Sequence, residues 1–111
     1  MKLRIFRQGA IVVIAPDDPI MGEAVGELSS RISELLEEGD NKIIIDMGST
    51  PFIDSEGLEM LLDAVTKARQ AGGKIKLANP NAVCSDIFRV TRLSNFLEIY
   101  NGVDEARRSF L

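Results

Sequence analysis

The chain has 111 residues, with 13 lysines and arginines against 17 aspartates and glutamates, one cysteine, no histidine and no tryptophan. The absence of histidine removes the most common general base and a common metal ligand, and a single cysteine leaves neither an internal disulfide nor a zinc cluster. The formal net charge of −4 disfavours binding to a nucleic-acid backbone, which needs clustered lysine and arginine, so the composition favours a binding module over a hydrolase.

The chain opens with a predicted β-hairpin. Basic and apolar residues alternate over residues 2–7, Gln8-Gly9 forms a turn, and a β-branched apolar run follows over residues 10–15. The alternation predicts a half-exposed first strand, whereas the apolar run predicts a second strand that is buried on both faces. Residues 16–19 contain two prolines and end this part of the sheet with a loop.

A helix, a strand and a second helix are predicted next. The inner stripe of the first helix has three- and four-residue spacing and consists of Met21, Ala24, Val25, Leu28, Ile32, Leu35 and Leu36. Gly39-Asp40 ends this helix, and residues 42–47 are typical of a central parallel strand. The second helix starts around Ser55 and ends at residues 71–73. Its inner stripe consists of Leu58, Leu61, Leu62, Val65 and Ala68.

The C-terminal part continues the same alternation. Residues 74–78 form a strand and residues 79–81 a turn. A third helix is marked by Val83, Ile87 and Val90. Residues 96–100 form a final strand, and a C-terminal helix is marked by Val103, Ala106 and Phe110. The order ββαβαβαβα predicts one α/β domain over residues 1–111, with a mixed, mostly parallel sheet that begins with a hairpin and is covered by helices.

Residues 45–58 are the most informative stretch, because an apolar segment runs into Asp54-Ser55 and a helix begins there. Ser55 is predicted at or near the helix N-terminus, where free N–H groups and the helix dipole favour an anion, including a phosphoryl group on the serine itself. A phosphate of about −1.5 to −2 charges beside Asp54 and Glu56 would repel a docked partner. The alternative is that Ser55 only caps the helix through a backbone N–H two or three residues further on.

Several segments match one family in order and spacing. They are residues 43–46, residues 71–77, residues 96–100 followed by Glu105-Ala106, and the run Phe52-Ile53-Asp54-Ser55-Glu56-Gly57-Leu58, which is similar to the family's F-I-D-S-S-G-L. The chain thus resembles the STAS family, the fold of the bacterial anti-sigma factor antagonists, along essentially its full length. The resemblance implies a STAS-like domain.

The resemblance also implies a non-catalytic, phosphorylation-controlled switch without a cofactor or metal. In the family the serine that follows the aspartate is phosphorylated, and here it is Ser55. The kinase is the anti-sigma factor itself, an ATP-dependent serine kinase with a histidine-kinase-like ATPase fold, and a metal-dependent serine phosphatase reverses the step. The unmodified antagonist captures the anti-sigma factor and so releases the sigma factor. We expect no direct contact with nucleic acid, and a monomer or weak dimer.

The residues expected to contact the partner are Asp18, Asp54, Glu56, Gly57, Glu59 and Met60. Asp54 is expected to shape the turn, Gly57 to let the kinase backbone approach closely, and Met60 to be exposed near the partner surface. Glu56 and Glu59 occupy positions where the family usually has small residues, so they are expected to tune the choice of partner. Asp18 is the nearest counterpart of an acidic turn that the family carries after its second strand.

Other functions fit the sequence less well. Within the family, the alternative is a scaffold or an accessory subunit of an ABC lipid transporter that is not controlled by phosphorylation. A two-component receiver would use an acidic pair and a phospho-accepting aspartate to bind Mg²⁺, and Asp17, Asp18, Asp46 and Thr50 resemble such a set. A receiver needs a full βα unit between that pair and the acceptor strand, and only one helix separates them here. We therefore interpret Asp46 as a strand-end residue and Asp17 and Asp18 as loop acids.

Sequence features also predict the location. The N-terminal residues lack the long apolar core of a signal peptide, and no stretch approaches the roughly 18 apolar residues of a membrane span. We therefore expect a cytoplasmic, reducing location with Cys84 as a free thiol. Because no histidine can activate it, Cys84 is interpreted as a small buried hydrophobic residue.

Overall fold

The structure, a computed structural model, describes residues 1–111. The strands are β1 (Leu3–Gln8), β2 (Ile11–Pro16), β3 (Lys42–Asp46), β4 (Lys74–Ala78) and β5 (Ile99–Tyr100). The helices are α1 (Glu23–Glu37), α2 (Ser55–Gln70), α3 (Ala82–Val90) and α4 (Val103–Arg108). The predicted order ββαβαβαβα is therefore confirmed. None of the helices combines the length and the hydropathy needed to cross a membrane.

The strands form one sheet in the order β1-β2-β3-β4-β5. β1 and β2 are antiparallel and joined by the two-residue turn Gly9-Ala10, in which Gly9 has a φ of 60°. All other neighbouring strands are parallel, so the mixed, mostly parallel sheet with an N-terminal hairpin is confirmed. Because parallel strands end at the same edge, the loops that follow β2, β3 and β4 converge there.

Helices pack on both faces of the sheet. On one face, α1, α2 and α3 bury the main core, which includes Val12, Ile14, Ile43, Ile45, Leu28, Ile32, Leu61 and Phe88. On the other face, α4 covers a smaller cluster of Ile11, Val13, Ile44, Ala78 and Ala106. Strand β2 is buried at every position because both faces are covered, as its uninterrupted apolar sequence predicts.

The final strand is shorter than predicted. Residues 96–100 were expected to pair as a strand, but only Ile99 and Tyr100 pair with β4. The reason is a 3₁₀ turn over Leu93–Asn95: the N–H groups of Phe96 and Leu97 bond to the carbonyl of Leu93, at 2.9 and 3.0 Å, and not to β4. Phe96 is consequently 69% exposed.

Two apolar stripes also differ from the prediction. In α3 the buried side chains are Cys84 and Phe88, whereas Val83 and Val90 are exposed, because the helix contacts the core only along one narrow side. Met21 is not part of the inner stripe of α1. It precedes the helix, which begins after Gly22, and it is 46% exposed.

Candidate functional site

Helix α2 begins at the edge of the sheet where the loops converge, and Asp54 forms its N-cap. The Oδ1 atom of Asp54 accepts the backbone N–H of Gly57 at 2.9 Å. Ser55 is the first residue of the helix and is exposed. The alternative in which Ser55 caps the helix is therefore wrong, and the hydroxyl of Ser55 is free for other chemistry. The expectation that Asp54 shapes the turn is confirmed by its cap geometry.

A short parallel bridge joins the loop before α1 to the loop before α2. Ile20 pairs with Ile53, the Ile20 N–H donates to the Phe52 carbonyl at 2.9 Å, and the Asp54 N–H donates to the Ile20 carbonyl at 3.3 Å. Both isoleucine side chains are buried in the core. The bridge thus fixes the backbone on which Asp54 and Ser55 stand.

Gly57 lies against this bridge and does not face the solvent. A Cβ atom at this position would lie 2.6 Å from the Ile20 carbonyl oxygen and 2.7 Å from Cγ1 of Ile53. The expectation that Gly57 leaves room for a partner's backbone is therefore wrong, because Gly57 is buried and the close approach is to its own chain. Its role is to let the first turn of α2 pack against the neighbouring loop.

Met60 is buried as well, at 6% exposure, so the expectation that it is exposed is wrong. Helix α2 packs against α1 as well as against the sheet, and its buried arc is wider than a single stripe. Met60 lies on the part of the arc that faces α1, where a shallow groove separates the two helices. Leu58, at 8% exposure, joins the same core cluster and anchors the helix as predicted.

Glu56 and Glu59 lie on the exposed side of α2, on the wall of that groove. Neither carboxylate forms an ion pair within the chain. Together with Asp54 they make the surface around the Ser55 hydroxyl acidic. Charges without internal partners are available to an incoming surface of opposite sign.

Asp18 lies in the loop that follows β2, at the same edge of the sheet. Its Oδ2 atom accepts the backbone N–H of Lys2 at 2.7 Å, and the preceding Asp17 pairs with Arg4 at 3.0 Å. The hydrogen bond from Arg4 to Asp17 and the charge of that carboxylate raise the pKa of Arg4. Both aspartates thus tie the start of β1 to the loop, as the interpretation of loop acids predicts.

Two polar residues, Thr50 and Asn81, connect the loops, a role that sequence reasoning did not predict for either. The hydroxyl of Thr50, which is buried, donates to the Pro16 carbonyl at 3.0 Å. The Asn81 side-chain amide donates to the carbonyls of Thr50 and Pro51 at 3.4 and 3.2 Å, and its oxygen caps α3 by accepting the Cys84 N–H at 2.8 Å. An asparagine directly before an apolar helical run was the available signal for this cap.

The chain contains no cluster of three or more histidine, cysteine, aspartate or glutamate side chains that could hold a metal ion. The Oδ1 atom of Asp46, at the end of β3, accepts the backbone N–H of Gly48 at 3.0 Å, which agrees with its interpretation as a strand-end residue. Cys84 is fully buried, as predicted, and burial raises the pKa of its thiol.

The STAS domain family matches residues 3–106. The chain belongs to the STAS family. A solved structure shares the fold: a crystal structure from Thermotoga maritima, of a protein provisionally named an anti-sigma factor antagonist, superimposes with a TM-score of 0.90 at 22% identity, over 96% of this chain and 92% of that one.

Two further proteins are similar to this chain, one in fold and one in sequence. The phosphorylated form of SpoIIAA, a Bacillus cell fate determinant, superimposes with a TM-score of 0.75 at 20% identity, over 99% of this chain and all of that one. A Thermotoga neapolitana protein provisionally named an anti-sigma factor antagonist is 29% identical over 73 residues. Those residues are 66% of this chain and 65% of the relative, so the match spans just under two thirds of the relative's length.

Proposed function

We propose that this STAS domain is an anti-sigma factor antagonist that works as a reversible protein switch. It captures an anti-sigma factor serine kinase when Ser55 is unmodified and releases it when the kinase has phosphorylated Ser55 with ATP. A metal-dependent serine phosphatase resets the switch. The names of the STAS relatives support the general role, and the phosphorylated structure of SpoIIAA supports the mode of control.

One observation carries the assignment of Ser55 as the acceptor. Asp54 caps α2, so the exposed hydroxyl of Ser55 has no structural duty that phosphorylation would disrupt. At the first position of a helix, a phosphate on this hydroxyl meets the positive end of the helix dipole and its unpaired N–H groups. The modification therefore adds charge at the surface without unfolding the helix on which it sits.

The residues near Ser55 have different roles in this proposal. Asp54, Glu56 and Glu59 present negative charge to the partner. Gly57 and Met60 act from beneath the surface, because their burial sets how α2 packs against the bridge and against α1. Asp18 holds the adjacent loop in place through Lys2. In this proposal the protein acts in the cytoplasm, where ATP and the kinase are present.

The test uses the serine-kinase anti-sigma factors encoded in the same genome, each purified and mixed with the protein and ATP. One of them is expected to add a single phosphate, detected as one phosphate mass on the intact protein, and a purified serine phosphatase is expected to remove it. Ser55→Ala must abolish the gain, whereas Ser85→Ala, which changes another exposed serine near a helix N-terminus, must not. Binding by a kinase that leaves the mass unchanged would favour the scaffold or the lipid-transport subunit.

A further inference from the structure

Exposed apolar side chains lie at the edge of the sheet where α2 begins, in the loops before α1 and α2 and in the first turn of α3. Met21 is 46% exposed, Phe52 39% and Val83 51%. Single exposed apolar residues are common on protein surfaces, but a group of large ones beside one site indicates an interaction surface. We call Met21, Phe52 and Val83 the apolar patch.

The bridge between Ile20 and Ile53 places two members of the patch together. Alternate side chains of paired extended segments point to opposite sides. Because Ile20 and Ile53 both point into the core, Met21 and Phe52 both point outwards. Continuing this parallel register by one residue places Met21 opposite Asp54, the residue that directly precedes Ser55.

The third member is held close by the cap of α3. Asn81 caps this helix and also donates to the carbonyl of Pro51, the residue that precedes Phe52. Val83 lies in the first turn of α3, next to that cap. Hydrogen bonds thus fix all the backbone segments that carry the patch, so little conformational entropy is lost when a partner binds.

The acidic residues beside the patch indicate which charge the partner surface carries. Along α2, next to Ser55, the exposed residues Glu56, Glu59 and Asp63 form no ion pair within the chain. A surface that buries the patch must approach these carboxylates. Basic side chains would be attracted there and acidic ones repelled.

We propose that the apolar patch is the central contact for the anti-sigma factor, and that the surface which meets it is apolar with a basic margin over α2. This inference rests on the proposed function, and it identifies what phosphorylation acts on. A phosphate on Ser55 would place a strongly hydrated charge at the border of an apolar contact, where docking would have to remove its water. Release then follows from this desolvation, which must outweigh the attraction between the phosphate and a basic margin.

The probe for the test is the serine-kinase anti-sigma factor that phosphorylates Ser55, with its affinity for the unmodified protein measured by calorimetry. Met21→Ser and Phe52→Ser are each expected to weaken binding by about tenfold or more, as substitutions at a central contact do. The matched controls are Phe6→Ser on β1 and Val90→Ser at the far end of α3, which are 48% and 66% exposed. The controls are expected to bind within about twofold of the original protein.

The charge requirement is tested by association kinetics. Glu56→Gln and Glu59→Gln are expected to slow association and to flatten its dependence on salt, whereas Glu37→Gln, at the far end of α1, is expected to do neither. Unchanged affinity of both patch variants, with the original protein binding and folding normally, would overturn the patch but leave the proposed function standing. If no such kinase binds the original protein, the proposed function fails and the patch fails with it.

Discussion

Asp54 caps helix α2 by accepting the N–H of Gly57 at 2.9 Å, and it directly precedes Ser55, which we propose as the phosphate acceptor. The cap and the proposed acceptor are therefore adjacent but separate residues. Because a neighbour supplies the cap here, the phosphorylated and unphosphorylated forms can share one fold.

This separation predicts that two neighbouring substitutions affect stability differently. Asp54→Ala removes the cap and is expected to lower the free energy of unfolding by about 1 kcal/mol, whereas Ser55→Ala is expected to leave it nearly unchanged. Urea unfolding followed by circular dichroism measures both. Asp54→Asn is the control, since asparagine caps as well as aspartate. Equal losses for the two alanine variants would show that Ser55 shares in the cap.

The glycines at positions 57 and 26 predict changes of opposite sign. Gly57→Ala forces a Cβ to within 2.6 Å of the Ile20 carbonyl oxygen, so the first turn of α2 must shift, and we expect a loss of about 1–3 kcal/mol in the free energy of unfolding. Gly26→Ala, inside α1 with nothing within 4 Å of the new atom, should gain about 0.5–1 kcal/mol. The same urea experiment distinguishes them. If Gly57→Ala leaves the free energy of unfolding unchanged, the first turn of α2 can move away from the Ile20 carbonyl without cost.

The sequence predicted the order of elements and the start of α2 at Ser55, because both depend on local periodicity and on the breaks between segments. It could not decide whether Asp54 or Ser55 caps α2, since both are favourable cap residues. That choice depends on the backbone conformation of Asp54, which is fixed by its hydrogen bond to Ile20. The Ile20–Ile53 bridge is formed by backbone atoms of distant loops, and backbone pairing of this kind has no side-chain signature.

Dependence on the packing of distant segments also explains why the burial of several apolar residues was predicted wrongly. An apolar residue in a helical pattern is normally assigned to the core, and Met21, Val83 and Val90 follow such patterns while being exposed. Met60 is the converse case, because only the packing of α2 against α1 makes its side of the helix an inner one. Periodicity identifies the apolar positions, whereas the arrangement of the elements decides which of them are covered.

Stability at acid pH should depend on the pair Arg7–Asp40, which joins β1 to the loop after α1 with bonds of 2.8 and 2.9 Å. The hydrogen bond from Arg7, aided by its charge, lowers the pKa of Asp40 below the ordinary value. A carboxyl whose pKa is lowered by folding stabilises the fold above its unfolded pKa, and this contribution is lost as the pH falls through the folded pKa.

Arg7→Gln should therefore destabilise the protein slightly at neutral pH and not at all below the folded pKa of Asp40, because the carboxyl is then protonated in both proteins. Urea unfolding of the two proteins across the acid range measures the difference. Arg31→Gln, which breaks an exposed pair with Glu34 within α1, is the control for losing one arginine. A destabilisation by Arg7→Gln that persists below this pH would assign the effect to packing rather than to the ion pair.

Lys76 is buried between the sheet and α4, where its exposure is 3%. Its Nζ donates to the Ser109 hydroxyl at 2.7 Å, lies 4.2 Å from the centre of the Phe110 ring and is 3.6 Å from Glu98. Moving a charged group from water into the protein interior costs free energy. Much of the stability that Lys76 contributes should therefore come from the packing of its long aliphatic stem.

Lys76→Met keeps that volume and is expected to change the free energy of unfolding by less than about 1 kcal/mol, in either direction. Lys76→Ala leaves a cavity under α4 and is expected to cost about 1–3 kcal/mol. Urea unfolding gives both values, and the fluorescence of Tyr100, the only tyrosine in a chain without tryptophan, reports on the same cluster. If Lys76→Met proves as damaging as Lys76→Ala, the ammonium group and its contacts with Ser109 and Phe110 hold α4 to the sheet, and the stem does not.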